Sequence, residues 1–100
     1  MTYRLLRAAI DDLEDIDLWT IEHFGLSVAD KTQAKIFAAF SLLADSPHMG
    51  QQRLDVTSRP VRFFSLNPFW IIYEPASPLL IHRVFHAARD LTRLREDLTS

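Results

Sequence analysis

From Ala8 onward, apolar side chains recur at helical spacing. Ile10, Leu13, Ile16 and Trp19 fall at every third position, and Ala9, Ile21 and Phe24 widen them into one broad stripe. Asp11, Asp12, Glu14, Asp15 and Asp17 fill the other side, a solvated face whose early acids favour the helix N-terminus. Gly25 follows the last periodic residue, so the spacing predicts a helix over about Ala8–Phe24 ended by a left-handed glycine. A second stripe comprises Ala29, Ile36, Phe37, Phe40, Leu43 and Ala44, with Lys31 and Lys35 one turn apart on the opposite side. Ser27 is predicted to open this helix, with Asp30 in place of the Glu of a capping box, and Asp45-Ser46-Pro47 to close it. Only Leu26 is left between the two, which predicts an antiparallel helical hairpin.

The period then changes. Pro47 to Gln52 reads as a loop with a turn. Val61–Leu66 alternates in part, whereas Phe69–Tyr73 and Leu79–Phe85 are apolar on both faces, as in strands covered on two sides. Asn67-Pro68 and the Pro75–Pro78 turn are so short that these strands must be antiparallel neighbours. Tyr3–Leu6 is a further short strand, and Leu91, Leu94 and Leu98 predict a short helix from Arg89 to Leu98. The expected fold class is α+β: an N-terminal strand, then a two-helix hairpin packed on a small antiparallel sheet with a C-terminal three-strand meander. The meander's second face carries large apolar groups with little chain left to cover them, which predicts a partner.

One hundred residues form a single domain, 1–100, with 48% hydrophobic and 24% charged residues. That composition excludes disorder and low complexity. Two glycines leave no glycine-rich phosphate loop, and the absence of cysteine removes disulfides, thiolate metal sites and a Cys nucleophile. The longest nearly apolar run, Phe37–Ala44, is too short to span a bilayer, and no signal-peptide core follows Met1. The expected location is the cytoplasm. Net charge is −2, but residues 1–50 carry four basic and eight acidic groups, whereas residues 51–100 carry seven basic and five acidic. An anion-meeting surface is therefore expected in the second half.

The candidate chemistry lies there too. Arg59, Arg62, Tyr73, Glu74, Arg83, His86 and Arg89 are the groups from which a ribonuclease site could be assembled, needing a base for the 2′-hydroxyl, an acid and phosphate-holding cations. His86 is the natural acid or base, although a histidine ending a buried strand more often hydrogen-bonds a carbonyl or carboxylate. His82 and His86 alternate along one strand, but no third metal ligand is evident, so no metal or cofactor is assigned. Trp19, Trp70 and the aromatic pairs Phe63-Phe64 and Phe69-Trp70 read as core rather than as a base-stacking platform. His23 and His48 read as surface. Leu18 and Leu42 lie off their helical stripes and mark a candidate interface. Arg83 or Arg89 is expected to pair with Asp90.

Together these residues form a familiar order. Ala9, then Asp12-Leu13-x-x-Ile16 and Phe24-Gly25, are followed by Pro47-x-x-Gly50, Val61-Arg62-x-Phe64 and Ile72-Tyr73, and by Ile81-x-Arg83-Val84-x-His86-x-x-Arg89-Asp90-Leu91. From about Tyr3 to Leu91 the chain resembles the ParE branch of the ParE/RelE toxins of type II toxin–antitoxin systems. The family pattern has an acid before the leucine at Leu13, so the resemblance implies that Asp12 pairs with Arg83 or Arg89. The resemblance implies a non-enzymatic, plasmid-stabilising type of toxin that binds and inhibits DNA gyrase. It also implies a ParD-type antitoxin that touches DNA itself, orders as it wraps the toxin, and forms a heterotetramer with it. On that reading the antitoxin covers the apolar sheet face and the helices, meets Leu18 and Leu42, and supplies acids to Arg62, Arg83 or Arg89. RelE-like relatives cleave mRNA instead, a reading that would use Arg62, Arg83 and His86. A degenerate member would only bind its antitoxin. Fold alone does not choose between these.

Overall fold

The computed structural model describes residues 2–90. The elements run β1 (Tyr3–Leu5), α1 (Arg7–Phe24), α2 (Leu26–Asp45), β2 (Arg62–Leu66), β3 (Phe69–Glu74) and β4 (Leu79–His86). The helix expected from Arg89 to Leu98 lies outside the described residues beyond Asp90.

The helices form the expected hairpin, with a tighter link. Gly25 alone joins them, at φ 92° and ψ 168°, donating its N–H to the Ile21 carbonyl (2.9 Å) and accepting from Ala29 N–H (3.1 Å). One residue thus ends α1 and begins α2. Leu26 is already helical and Ser27 lies inside the first turn, so neither Ser27 nor Asp30 forms the expected capping box. α1 likewise starts one residue early, at Arg7, which leaves no acid in its first turn. Asp11 instead pairs with Arg7 at 3.0 Å, an exposed i,i+4 contact contributing about 0.3–0.5 kcal/mol.

The strands form one sheet in the order β1-β4-β3-β2. The meander is antiparallel, as its short turns require, with Phe63 opposite Ile72 and Ile71 opposite Val84. β1 adds a parallel edge, Leu5 lying opposite Ile81, so the sheet is mixed. A parallel edge needs a long crossover, and the whole hairpin supplies it.

The helix-facing side holds the larger core. Ala9, Leu13 and Ile16 of α1 and Ile36, Phe40 and Leu43 of α2 close over Phe69, Ile71, Tyr73, Leu79, Ile81 and Val84. Truncating a side chain such as Phe40, fully buried, would cost about 3–5 kcal/mol. The outer face gathers Val61, Phe63, Ile72 and Phe85, with Val56 and Trp70 packed against them. Among the described residues no large strand side chain on this face is exposed, so the uncovered apolar sheet face expected from sequence is not there. The exposed large apolar groups sit mainly on the hairpin: Leu18, Phe24, Leu26, Val28, Phe37 and Leu42. Phe24 and Phe37 were expected in the core. Phe24 ends α1 beside the one-residue link, and Phe37 lies at the border of its stripe, its ring edge-on to that of Phe40 at 5.3 Å.

Candidate functional site

β1 is three residues long and covers β4 only as far as Ile81, whose carbonyl accepts Leu6 N–H at 3.0 Å. α1 then turns back across the remaining edge of β4. Its Asp12 carboxylate accepts Val84 N–H at 3.0 Å, a bond that a longer β1 would have made. The same carboxylate receives Arg83 Nε at 2.8 Å and an Arg83 terminal nitrogen at 2.9 Å, with both side chains largely buried. The guanidinium also lies 4.4 Å over the Phe85 ring. The expected pairing of Asp12 with Arg83 is therefore present.

Arg89 takes the other acids. It donates to Asp15 at 2.7 Å and to Asp90 at 3.1 and 3.2 Å. Its hydrogen bond to Asp90, reinforced by Asp15, raises its pKa above the ordinary guanidinium value against the cost of burial. Buried Asp90 also accepts His86 N–H at 3.0 Å, which closes the turn after β4.

Arg62 and Tyr73 fasten the loop after α2. The Tyr73 hydroxyl donates to the Pro47 carbonyl and accepts from Gly50 N–H, each at 2.8 Å. An Arg62 terminal nitrogen donates to the Gly50 carbonyl at 2.7 Å. A Cβ at Gly50 would fall 2.7 Å from the Tyr73 hydroxyl oxygen and 2.9 Å from the Phe63 carbonyl. The Pro47-x-x-Gly50 spacing is thus a socket for Tyr73, whose burial pushes the phenol pKa up.

The histidines part company at a β-bulge. Ile72 pairs with Arg83 and Tyr73 with Ile81, which leaves His82 as the extra residue of β4. The slip lets Leu79 and Ile81 before it and Val84 after it all face the helices. His82 and His86 therefore do not share a face as strict alternation predicted. His82 Nε2 meets Glu74 at 3.0 Å, whereas His86 lies 6.0 Å from the Trp19 ring and edge-on to Phe69 at 5.7 Å. His86 Nδ1 accepts Arg89 N–H at 3.2 Å, a backbone amide rather than the carbonyl or carboxylate expected. With Nδ1 accepting, Nε2 is the ring nitrogen left to donate. Among the described residues no three His, Cys, Asp or Glu side chains gather as a metal site.

The groups a nuclease would need are dispersed. Side chains directly opposite across strands share a face. Arg62 lies opposite Tyr73 of the helix-facing core, and Arg83 opposite Ile72 of the outer cluster. His86 lies opposite Phe69, four residues along β3 from Tyr73, or roughly 13 Å at strand rise. Arg62, Arg83 and His86 thus form no common constellation, and each is engaged in tying two parts of the fold together.

Leu18 and Leu42 are exposed, at 68% and 46%. Their helical neighbours differ: Glu14, Asp15, Ile21 and Glu22 surround Leu18, while Ala38, Ala39 and Asp45 flank Leu42. Sequence reasoning missed Phe24, Leu26 and Val28, exposed at 62%, 63% and 43% around the hairpin link. The signal was present: three apolar residues within five positions of a helix-ending glycine cannot all turn inward.

Against known proteins, residues 3–91 match the model of the family described as "ParE toxin of type II toxin-antitoxin system, parDE". No curated protein matches. Among solved structures, the chain is similar to one described as "Chromosomal ParDE TA system from P. aeruginosa", with a TM-score of 0.73 and 22% identity over 86% of this chain and 95% of that one. At that identity the likeness is one of fold. With the family match spanning nearly the whole chain and the architecture shared, the chain belongs to the ParE toxin family of type II toxin–antitoxin systems.

Proposed function

We propose that this chain is a toxin that inhibits DNA gyrase by binding it, without chemistry of its own, and that a ParD-type antitoxin neutralises it in the cytoplasm. The observation that carries the non-enzymatic reading is the dispersal of Arg62, Arg83 and His86 over two faces and two ends of the sheet, each held by an internal partner. Acid–base cleavage needs such groups converging within hydrogen-bond reach of one phosphate. No cofactor enters this reading. No helix among the described residues is long and apolar enough to cross a membrane.

The antitoxin reading rests on the hairpin. Leu18 and Leu42 have the exposure that a contact requires. Arg62, Arg83 and Arg89 would each have to trade or share an internal partner to meet an antitoxin carboxylate. An antitoxin segment that orders on binding suits a surface whose exposed apolar groups are strung along two helices. On this reading residues 1–100 act as one toxin domain, which assembles with the antitoxin as a heterotetramer and meets DNA only through it.

Inducing the chain alone in bacteria tests the reading. Growth arrest with filamentous cells, an induced DNA damage response and intact mRNA is expected. Rapid mRNA cleavage with intact DNA would establish the RelE-type alternative instead. A chain that binds its antitoxin yet causes no arrest would be a degenerate member.

A further inference from the structure

At the hairpin link a groove of about 290 Å³ opens between the helices and the β2–β3 turn. Trp19, Phe24, Val28, Thr32, Phe69 and His86 line it. Its two threonines contribute methyl groups rather than hydroxyls, because Thr20 donates to Ile16 O at 2.6 Å and Thr32 to Val28 O at 2.9 Å within their own helices. The lining is therefore almost wholly apolar, with one directed polar atom. His86 Nδ1 is occupied by Arg89 N–H, which leaves the Nε2 hydrogen as a donor. The groove, at about 290 Å³, has room for one large side chain.

The rim carries an ammonium, although the chain as a whole is acidic. Lys35 follows Thr32 by three residues on α2, and its ammonium donates to the Asn67 carbonyl at 3.0 Å, beside Pro68 of the groove wall. His23 stacks on Trp19 at 4.3 Å, and Arg89 lies 5.6 Å over the same ring. The carboxylates tied to this corner, Asp15 and Asp90, are both engaged by Arg89. An apolar slot with the Lys35 ammonium at its rim fits an apolar side chain flanked by an acid.

We infer that this groove receives one aromatic or long aliphatic side chain from an acidic segment of the antitoxin, with a flanking carboxylate meeting Lys35. This rests on the antitoxin reading and names the anchor point within it. The anchor is buried against Trp19 and Phe69, and the His86 Nε2 hydrogen binds a carbonyl or carboxylate of the same segment.

The test measures the affinity of the full chain for the antitoxin encoded with it, using Phe24→Asp, Val28→Asp and Lys35→Glu. All three sites are exposed, so the fold should persist, and far-UV circular dichroism checks that it does. Leu54→Asp, at a 74% exposed site in the separate turn after β-bridge residue Gln51, is the control. The groove variants should weaken binding by about thirtyfold or more, and Lys35→Glu by a few-fold with a larger effect at low salt. Leu54→Asp should stay within about threefold of wild type. If the wild type binds and Phe24→Asp and Val28→Asp bind equally well, the groove assignment is overturned while the antitoxin reading stands. If the wild type does not bind at all, the antitoxin reading falls and the groove assignment falls with it.

Discussion

Asp12 and Arg83, 71 positions apart, meet through two hydrogen bonds of 2.8 and 2.9 Å, and the same carboxylate closes the backbone of β4 at Val84. One side chain thus fixes the first helix to the strand that bears Arg83 and His86. Removing one partner strands the other in a largely buried site. Asp12→Ala should lower stability by about 3–5 kcal/mol in urea unfolding. Asp12→Ala combined with Arg83→Met should cost clearly less than the sum of the two single changes. Additive costs would show that the pair does not couple helix to sheet.

Tyr73 predicts an alkaline limit to stability. Its folded pKa lies above the ordinary value of 10.0, because burial disfavours the phenolate. The unfolded chain therefore loses this proton first as pH rises. The contribution is fully present below about pH 10 and is lost as pH climbs through the raised folded value, by at most about 1.4 kcal/mol per pH unit. Tyr73→Phe should remove that dependence. It should also cost about 1–3 kcal/mol at neutral pH, since Gly50 N–H loses its partner. Unfolding measured between pH 8 and 12 for both proteins checks this, and an unchanged alkaline slope in the variant would assign it to other groups.

Gly25 offers a cleaner backbone test. A Cβ there would meet nothing within 4 Å, so any penalty for Gly25→Ala is conformational. At φ 92° and ψ 168° that penalty should be about 1–3 kcal/mol. A neutral substitution in thermal or urea unfolding would mean that the link can be made another way.

His86→Gln separates the two modes of toxicity. A toxin that works by binding should arrest growth nearly as well with glutamine at this position, provided the variant folds. A nuclease using His86 as acid or base would lose about 10²–10⁴ in activity. Growth arrest and mRNA integrity, scored in the same induced culture, decide between them.

The periodic parts of this fold were readable without coordinates. Ile10, Leu13 and Ile16 on one helix, and Ile36, Phe40 and Leu43 on the next, mark two amphipathic helices, and the single residue left between them sets the two side by side. The short prolyl turns likewise forced the meander. The pairing of Asp12 with Arg83 was foreseen only as one of two choices, since spacing along the chain carries no direct trace of a contact this remote. The bulge at His82 left no trace in the sequence: a slip of one residue in register is decided by packing across three strands, and it moved His82 and His86 to different faces. The covering of the outer sheet face was missed for a related reason. Val56 lies in a segment without regular period, and Val61 opens a strand that alternates only in part, so pattern reading did not set them over the sheet.

The brevity of β1 also governs how free chains can stick together. Open strand edges recruit other strands, and proteins blunt them by shortening or covering them. Here β1 exposes an edge of three residues, Asp12 occupies β4 beyond it, and on the far side Gln51 is bridged to Phe63 of β2. Neither flank of the sheet offers a long template for fibre growth. Toxin left without its antitoxin should therefore associate through the apolar side chains of its hairpin, reversibly and with its native helices intact, rather than by stacking strand upon strand.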